Sequence, residues 1–249
     1  MNEQINTVRM LVAGEHGLVI EFGAVISPQI NVQVQQLTRL LHLKNKNGIL
    51  EVMPTYRSVT VYFDPLVITR QELSCFIQDI LCELQQEDVE GLSPRVVHVP
   101  VCYGGVLGPD LEYVARFASL SPQEVIDFHT SKPYLIYMLG FIPGFPYLGG
   151  MPSQIAVPRQ EKPRDRIPGG SVGIGGNQTG FYPIESSGEW WLIGRTPIKA
   201  FNFKRDDSFL FAAGDYLLFE EISIDVYFEI RRAVEAGTYI PHVTYLYER

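Results

Sequence analysis

Four cations fall close together at Arg159, Lys162, Arg164 and Arg166, and a run of glycines follows at once, from Gly169 through Gly180. An arginine fork can donate two parallel hydrogen bonds to a carboxylate or phosphate. Glycine lets backbone amides approach an anion closely. Taken apart, the two segments read as a solvated loop with weak surface ion pairs and a glycine-rich strand edge. Their adjacency is what raises an anion-binding groove. The glycine run is not a phosphate-binding loop, since no Gly-Lys-Ser/Thr ending exists. Nor is it a dinucleotide fingerprint, because Gln178 stands at the third glycine position.

A second unusual stretch runs from Gly140 to Gly150, with Phe141, Pro143, Gly144, Phe145, Pro146 and Tyr147 inside it. Glycine and proline define its backbone path, and its aromatics either line a concave surface or pack into a core. The five histidines are His16, His42, His98, His129 and His242. None forms a close pair at metal-ligand spacing, so no metal site is expected. His129 ends a capped helix, where the dipole favours a protonated imidazole. No Gly-x-Ser-x-Gly nucleophile elbow occurs, and Asp64 before Pro65 reads as a turn residue.

The elements that must position these groups fall into two regions. Arg9 to Ala13 and Leu18 to Phe22 read as strands around a turn at Glu15-His16-Gly17. Ser27-Pro28 opens a helix, with Ile30, Val34, Leu37 and Leu41 on one face and Gly48 as its stop. Ile49 to Met53 and Ser58 to Phe63 are two more strands. Thr69-Arg70-Gln71-Glu72 is a capping box for a second helix, and Pro94 to Val101 is a strand. This order suggests helices on one face of a mainly antiparallel sheet. The polar segment Gln85 to Pro94 is the best domain boundary. Two short helices follow, Pro109 to Ala118 and one opened by the box Ser121-Pro122-Gln123-Glu124. From Tyr134 onward short apolar runs broken by Gly and Pro argue for a β-barrel or sandwich, with strands at Tyr134 to Leu139, Ser171 to Ile174, Trp190 to Gly194 and Tyr216 to Ile222.

Composition narrows the classes. The chain has 249 residues, 46% of them hydrophobic and 19% charged, which is enough to fill real cores and argues against global disorder. A formal net charge of −8 opposes nucleic-acid binding, whose affinity comes largely from phosphate neutralisation. The cysteines Cys75, Cys82 and Cys102 fit no zinc or redox spacing and read as buried reduced thiols. No apolar signal region opens the chain and no run of 18 apolar residues occurs, so a cytoplasmic protein without a membrane span is expected.

Several stretches together resemble the 5-oxoprolinase B-subunit family, also described as KipI-like or allophanate hydrolase subunit 1 proteins. They are Pro54 to Ser58, Pro100 to Gly105, Gly140 to Gly150, Gly170 to Ile174, Asn177 to Pro183 and Ile193 to Pro197. His98 stands where the family pattern carries an acidic residue. The resemblance implies an α+β N-terminal domain plus a mainly-β C-terminal cyclophilin-like barrel, with residues 1–90 as the small ferredoxin-like domain and 91–249 as the barrel. It implies an ATP-dependent, multi-subunit enzyme that opens 5-oxoproline to glutamate with two partners, a homologous C subunit and a separate A subunit. ATP is the implied co-substrate, with a magnesium site that could lie in a partner. By the same resemblance His129, Arg164 and Gln178 are the candidate catalytic residues. Phe141, Phe145, Tyr147, Arg159, Gly170, Ser171, Thr179 and Tyr182 are the candidate substrate-binding residues. Inhibition of a sporulation histidine kinase, or a carboxyltransferase role related to urea carboxylase, are the alternatives it carries.

Overall fold

The computed structural model describes residues 8–84, 94–203, 205 and 208–246. The segment read as a domain boundary, Gln85 to Pro94, lies outside the described residues except for Pro94. The chain divides into two compact units, Met1–Leu92 and Ser93–Arg249.

The first unit runs β1 (Arg9–Ala13), β2 (Gly17–Glu21), α1 (Pro28–Lys44), β3 (Ile49–Pro54), β4 (Ser58–Phe63) and α2 (Arg70–Leu84). Its sheet is antiparallel in the order β1-β2-β4-β3. Strand alternation turns Leu18, Ile20, Val59, Val61 and Phe63 to one face. There they pack with Ile30, Val34, Leu37 and Leu41 of α1 and Leu73, Ile77 and Ile80 of α2. Each fully buried side chain of this size contributes about 1.5–3 kcal/mol. Ser27 caps α1 as expected, its Oγ accepting from the Ile30 N–H at 3.2 Å. The helix stops earlier than Gly48, because Asn45 turns left-handed at φ 39° and its N–H closes on the Leu41 carbonyl. Thr69 and Glu72 form the expected reciprocal cap of α2. Glu21 sits between Arg9 and Arg57, and the hydrogen bond from Arg9 leads in holding its carboxyl below the usual range. Buried Asn31 donates to the carbonyls of Thr55 and Tyr56. These two bonds tie the Pro54 to Ser58 turn to α1, so this stretch is structural.

The second unit runs β5 (Arg95–Tyr103), α3 (Leu111–Ala118), α4 (Pro122–Thr130), β6 (Tyr134–Leu139), β7 (Pro146–Gly149), β8 (Arg164–Ile167), β9 (Ser171–Gly175), β10 (Gln178–Phe181), β11 (Ser186–Gly188), β12 (Trp191–Arg195), β13 (Tyr216–Glu221), α5 (Ile224–Ala236) and β14 (Val243–Tyr245). The large sheet follows the order β10-β9-β12-β5-β13-β6-β7, with β14 also paired to β5. Its end strands come together: a Cβ placed on Gly180 of β10 would stand 3.3 Å from the Pro146 carbonyl of β7. The sheet is thus a nearly closed barrel within a mixed α/β fold. Val97, Val99, Val101, Ile174, Phe181, Leu217 and Phe219 fill it, and α3 and α4 pack against the same core through Val114 and Val125. Strands β8 and β11 form a separate antiparallel pair.

Three expectations need correction. Beyond Tyr134 the pattern showed only strands, yet α5 forms, with the Ser223 Oγ accepting from Val226 N–H and Gly237 stopping it at φ 74°. Both signals are present in the sequence, but the surrounding short apolar runs masked them. Cys75 and Cys82 are exposed, because they lie off the buried stripe of α2; only Cys102 is buried, and all three are free. The glycine-rich run is largely a hairpin, β9 to β10, whose backbone amides are engaged in sheet pairing. Among the described residues no helix is long and apolar enough to cross a membrane.

Candidate functional site

A cavity of about 330 Å³ opens in the second unit, lined by Phe141, Phe145, Tyr147, Arg159, Gln178, Tyr182, Glu189 and Trp190 among others. Its aromatic wall is built at two turns and a strand. Phe145 anchors it, buried, with Tyr147, Tyr182 and Trp190 at ring-centroid distances of 5.3, 5.7 and 5.7 Å. Phe141 reaches over Phe145 edge to face at 5.6 Å. To do so it holds φ at 66°, a left-handed conformation that costs a non-glycine residue energy. Gly144 is left-handed as well, at φ 81°, and a Cβ there would crowd Phe201 and Ala200. The loop's composition therefore sets a fixed path for its aromatics.

The polar lip faces this wall. Arg159 donates from Nη2 to the Gln178 Oε1 at 2.8 Å, and its Nη1 lies 3.7 Å from a Glu189 carboxylate oxygen. Arg159 and Glu189 keep about half of their side-chain surface exposed, so both remain open to a ligand. Burial pushes the Tyr182 phenol up to about 12, although the Arg159 guanidinium pulls the other way. At neutral pH Tyr182 is a hydroxyl. Gly188 is required opposite it, since a Cβ there would stand 2.4 Å from the Tyr182 oxygen. The site thus offers one guanidinium, one carboxylate, one amide, the phenols of Tyr147 and Tyr182 and the Ser187 hydroxyl around an aromatic floor. That set suits a small, partly apolar anion carrying hydrogen-bonding groups.

The cation cluster does not act as one patch. Arg159 lines the cavity, Arg166 pairs with Glu185 at 2.9 Å in the open, and Arg164 is locked. Its two Nη atoms reach the Asp110 carboxylate at 2.5 and 2.8 Å. Asp110 also accepts from the Leu192 N–H at 2.7 Å. Both groups are largely removed from water, and the Asp110 hydrogen bond leads in pushing the Arg164 pKa up. Gln160 donates to the Trp190 carbonyl at 3.1 Å. This frame holds the start of β12, and with it Trp190, behind the cavity. Arg164 is a framing residue and does not line the cavity.

His129 does not reach the cavity either. It is fully buried, its ring stacked on Phe219 at 4.4 Å. Burial pulls its pKa down to about 3, so the imidazole is neutral. The helix-end argument for a protonated ring is overridden, because desolvation outweighs a dipole worth about 0.3–1 kcal/mol. The hydrogen bonds determine the tautomer. Thr179 donates to the Gly173 carbonyl at 3.0 Å, so its oxygen accepts from His129 Nε2 at 2.7 Å. Nδ1 then accepts from the Tyr103 hydroxyl at 2.7 Å. Thr179 and Ser171 are buried inside the barrel, and Ser171 Oγ has no hydrogen-bond partner.

Gly170 lines a different cavity, also about 330 Å³, with Arg195, Lys199 and Arg231. The glycines of β9 serve packing: a Cβ on Gly175 would stand 2.3 Å from the Trp190 ring. Of the candidate residues, Phe141, Phe145, Tyr147, Arg159, Gln178 and Tyr182 are brought to one cavity, while His129, Arg164, Gly170, Ser171 and Thr179 are not. Sequence reasoning missed Glu189, Trp190 and Asp110. Pro109-Asp110 before a helix looks like a cap, yet Asp110 makes no side-chain cap bond. Nothing in the spacing of Glu189-Trp190 sets them apart from a strand start.

The carboxyltransferase domain, subdomain C and D, matches residues 8–211. A Bacillus subtilis protein named as the B subunit of 5-oxoprolinase is 42% identical, over 84% of this chain and 91% of its own length. Its namesake in Escherichia coli O157:H7 is 38% identical, over 85% of this chain and 94% of its own. The solved K. lactis urea amidolyase matches with a TM-score of 0.78 and 19% identity, over 98% of this chain and 16% of that one. At that identity the likeness concerns the fold alone, a mixed α/β architecture like that of the urea-processing enzymes.

Proposed function

The chain belongs to the 5-oxoprolinase B-subunit family, within the carboxyltransferase subdomain C and D proteins, and we propose that it is the B subunit of a bacterial ATP-dependent 5-oxoprolinase. In this reading it works with the A and C subunits to open 5-oxoproline to glutamate in the cytoplasm. Its second unit is a cyclophilin-like barrel and its first a ferredoxin-like α+β domain.

The observation that carries the substrate assignment is the pairing of Arg159, Gln178 and Glu189 across from an aromatic wall in a cavity of about 330 Å³. 5-Oxoproline is a five-membered lactam with one carboxylate. Its ring methylenes suit the Phe145 and Trp190 faces. Its carboxylate suits the Arg159 fork. Its lactam N–H can donate to Glu189, and its carbonyl can accept from the Gln178 amide. Held so, the ring has one orientation, which is the contribution of positioning to catalysis.

A lactam resists water, and ATP supplies the activation by phosphorylating its carbonyl oxygen. The cavity's single guanidinium already faces Glu189, and its one lining glycine, Gly188, meets Tyr182, so the described residues offer no triphosphate cradle there. In this reading ATP and its magnesium belong to a partner in the complex, and no step here runs through them. A carboxyltransferase role is favoured by the carboxyltransferase model over residues 8–211 and by a urea amidolyase of Saccharomyces cerevisiae that is 25% identical over 74% of this chain; biotin dependence of the assembled complex would be its mark.

The test is ATP turnover with 5-oxoproline, using the chain alone and then with its candidate A and C subunits. Turnover only in the full mixture is expected. Silence in a mixture that has demonstrably assembled would overturn the oxoprolinase reading. Turnover by the chain alone would overturn the shared site.

A further inference from the structure

Three metal-ligating side chains meet on one side of the barrel sheet, and none of them lines either cavity. The register explains their meeting. His98 of β5 pairs with Leu218 of β13, which puts Glu220, two residues on, on the same face. Strand β14 pairs Val243 with Val97, so His242 falls opposite His98, and the His98 N–H donates to the His242 carbonyl at 3.0 Å. The two imidazoles lie 4.0 Å apart between centroids. His98 Nδ1 stands 2.6 Å from Glu220 Oε1, and its Nε2 stands 2.9 Å from Thr244 Oγ1. One ligand atom from each of His98, Glu220 and His242 lies within 4.8 Å of the others.

We propose that His98, Glu220 and His242 bind one divalent first-row transition ion of the zinc class, and that the ion staples β14 to β5 and β13. Two imidazoles and a carboxylate are the ligand chemistry of such ions, whereas magnesium and calcium call for oxygen throughout. Bond lengths of about 2.0–2.2 Å in a tetrahedral site place neighbouring ligands about 3.3 Å apart. The His98–Glu220 contact must open by less than an ångström, and Glu220, half exposed, is free to rotate. Thr244 completes the arrangement. Without an ion, Nδ1 faces the Glu220 carboxylate and Nε2 faces the Thr244 hydroxyl, which can either donate or accept. With an ion on Nδ1, Nε2 carries the N–H, and the Thr244 oxygen accepts it. His242 is exposed, so water can fill the open coordination position.

The site can be tested on the full chain after chelator treatment, with zinc followed by calorimetry and cobalt by its visible absorption. One equivalent is expected to bind, with the intense absorption of a four- or five-coordinate cobalt site. His242→Gln and Glu220→Gln, both at accessible positions, should each weaken binding at least tenfold, and Thr244→Val about tenfold. Zinc should slow amide exchange across residues 243–245 in the parent but not in H242Q. A Cys75→Ser/Cys82→Ser variant should bind as the parent does. Absence of saturable binding, full affinity in both H242Q and E220Q, or loss of binding in the double serine variant would each overturn the proposal.

Discussion

Arg159 and Arg164 lie in one cation-rich segment, and their surroundings put them to different uses. Arg159 faces a cavity, half exposed, with a 3.7 Å carboxylate and a neutral amide as its partners. Arg164 is clamped in two short bonds by a carboxylate that also accepts a backbone N–H of β12. The same division separates the whole cavity from the polar frame behind it. At the cavity lip Arg159 and Glu189 are about half exposed and 3.7 Å apart, and so can exchange that pairing for a ligand. The frame's groups, Asp110 with Arg164 and His129 with Tyr103 and Thr179, have hydrogen-bond partners on each side. A buried group without its partner costs more than an exposed pair contributes. Frame residues should therefore govern stability, and lip residues should govern turnover.

The largest effect should come from Asp110→Ala. It leaves the Arg164 guanidinium and the Leu192 N–H without their acceptor, in a pair largely shielded from water. Removing one partner of such a pair costs about 3–5 kcal/mol, and the partial exposure of Arg164 sets the lower end. Urea unfolding measures it. A loss below about 1 kcal/mol would mean that Asp110 does not frame the cavity. Arg159→Ala sharpens the contrast from the other side. Its stability should stay within about 0.5 kcal/mol of the parent. In the assembled enzyme its kcat/KM for 5-oxoproline should fall about 10- to 100-fold, the equivalent of about 1.5–3 kcal/mol for a charge-assisted bond. A stability loss with unchanged turnover would reverse the assignments.

Much of this division lies beyond sequence reading. Local rules placed the caps at Ser27, Thr69 and Ser121 and the buried stripe of α1, because those contacts span three or four residues. The aromatic loop and the cation cluster holding Arg159 stood out by composition, whereas Gln178 and Tyr182 were named only through the family resemblance. What no local rule shows is which neighbour each would meet. Asp110 finds Arg164 across 54 residues, and Thr179 finds His129 across 50. The fate of His129 is decided by Phe219 and Tyr134, which close over its ring from other elements. The glycine run misled for a related reason: a space needed by Trp190 looks, in sequence, like one offered to an anion.

The pH dependence separates His129 from the hydrogen-bonded carboxylates. Its folded pKa, about 3, lies below the ordinary 6.5. Between those values the unfolded chain binds the extra proton, so stability rises with pH there and is lost as pH falls. The slope approaches 1.4 kcal/mol per pH unit below about pH 6. Glu21, Glu72 and Glu124, whose pKa values are lowered, hold their contribution above the ordinary carboxylate value of 4.5 and lose it as pH falls from there through their lowered folded values. The window from about pH 6 to 4.5 therefore belongs to His129. Urea midpoints of the parent and of His129→Gln across that window should converge as pH falls; parallel lines would place the ring in water.

The smallest effect should be Tyr103→Phe. It removes the hydroxyl that donates to Nδ1 and leaves a neutral acceptor behind, at a cost of about 1 kcal/mol. Its value lies in the slope. Burial, and not Tyr103, holds the imidazole neutral, so Y103F should lower stability at every pH and keep the slope of the parent. A slope that vanished with the hydroxyl would make Tyr103 the cause of the neutral ring. The frame would then be held by its hydrogen bonds before its burial, and the loose pairing at the cavity lip would no longer be the feature that separates the two regions.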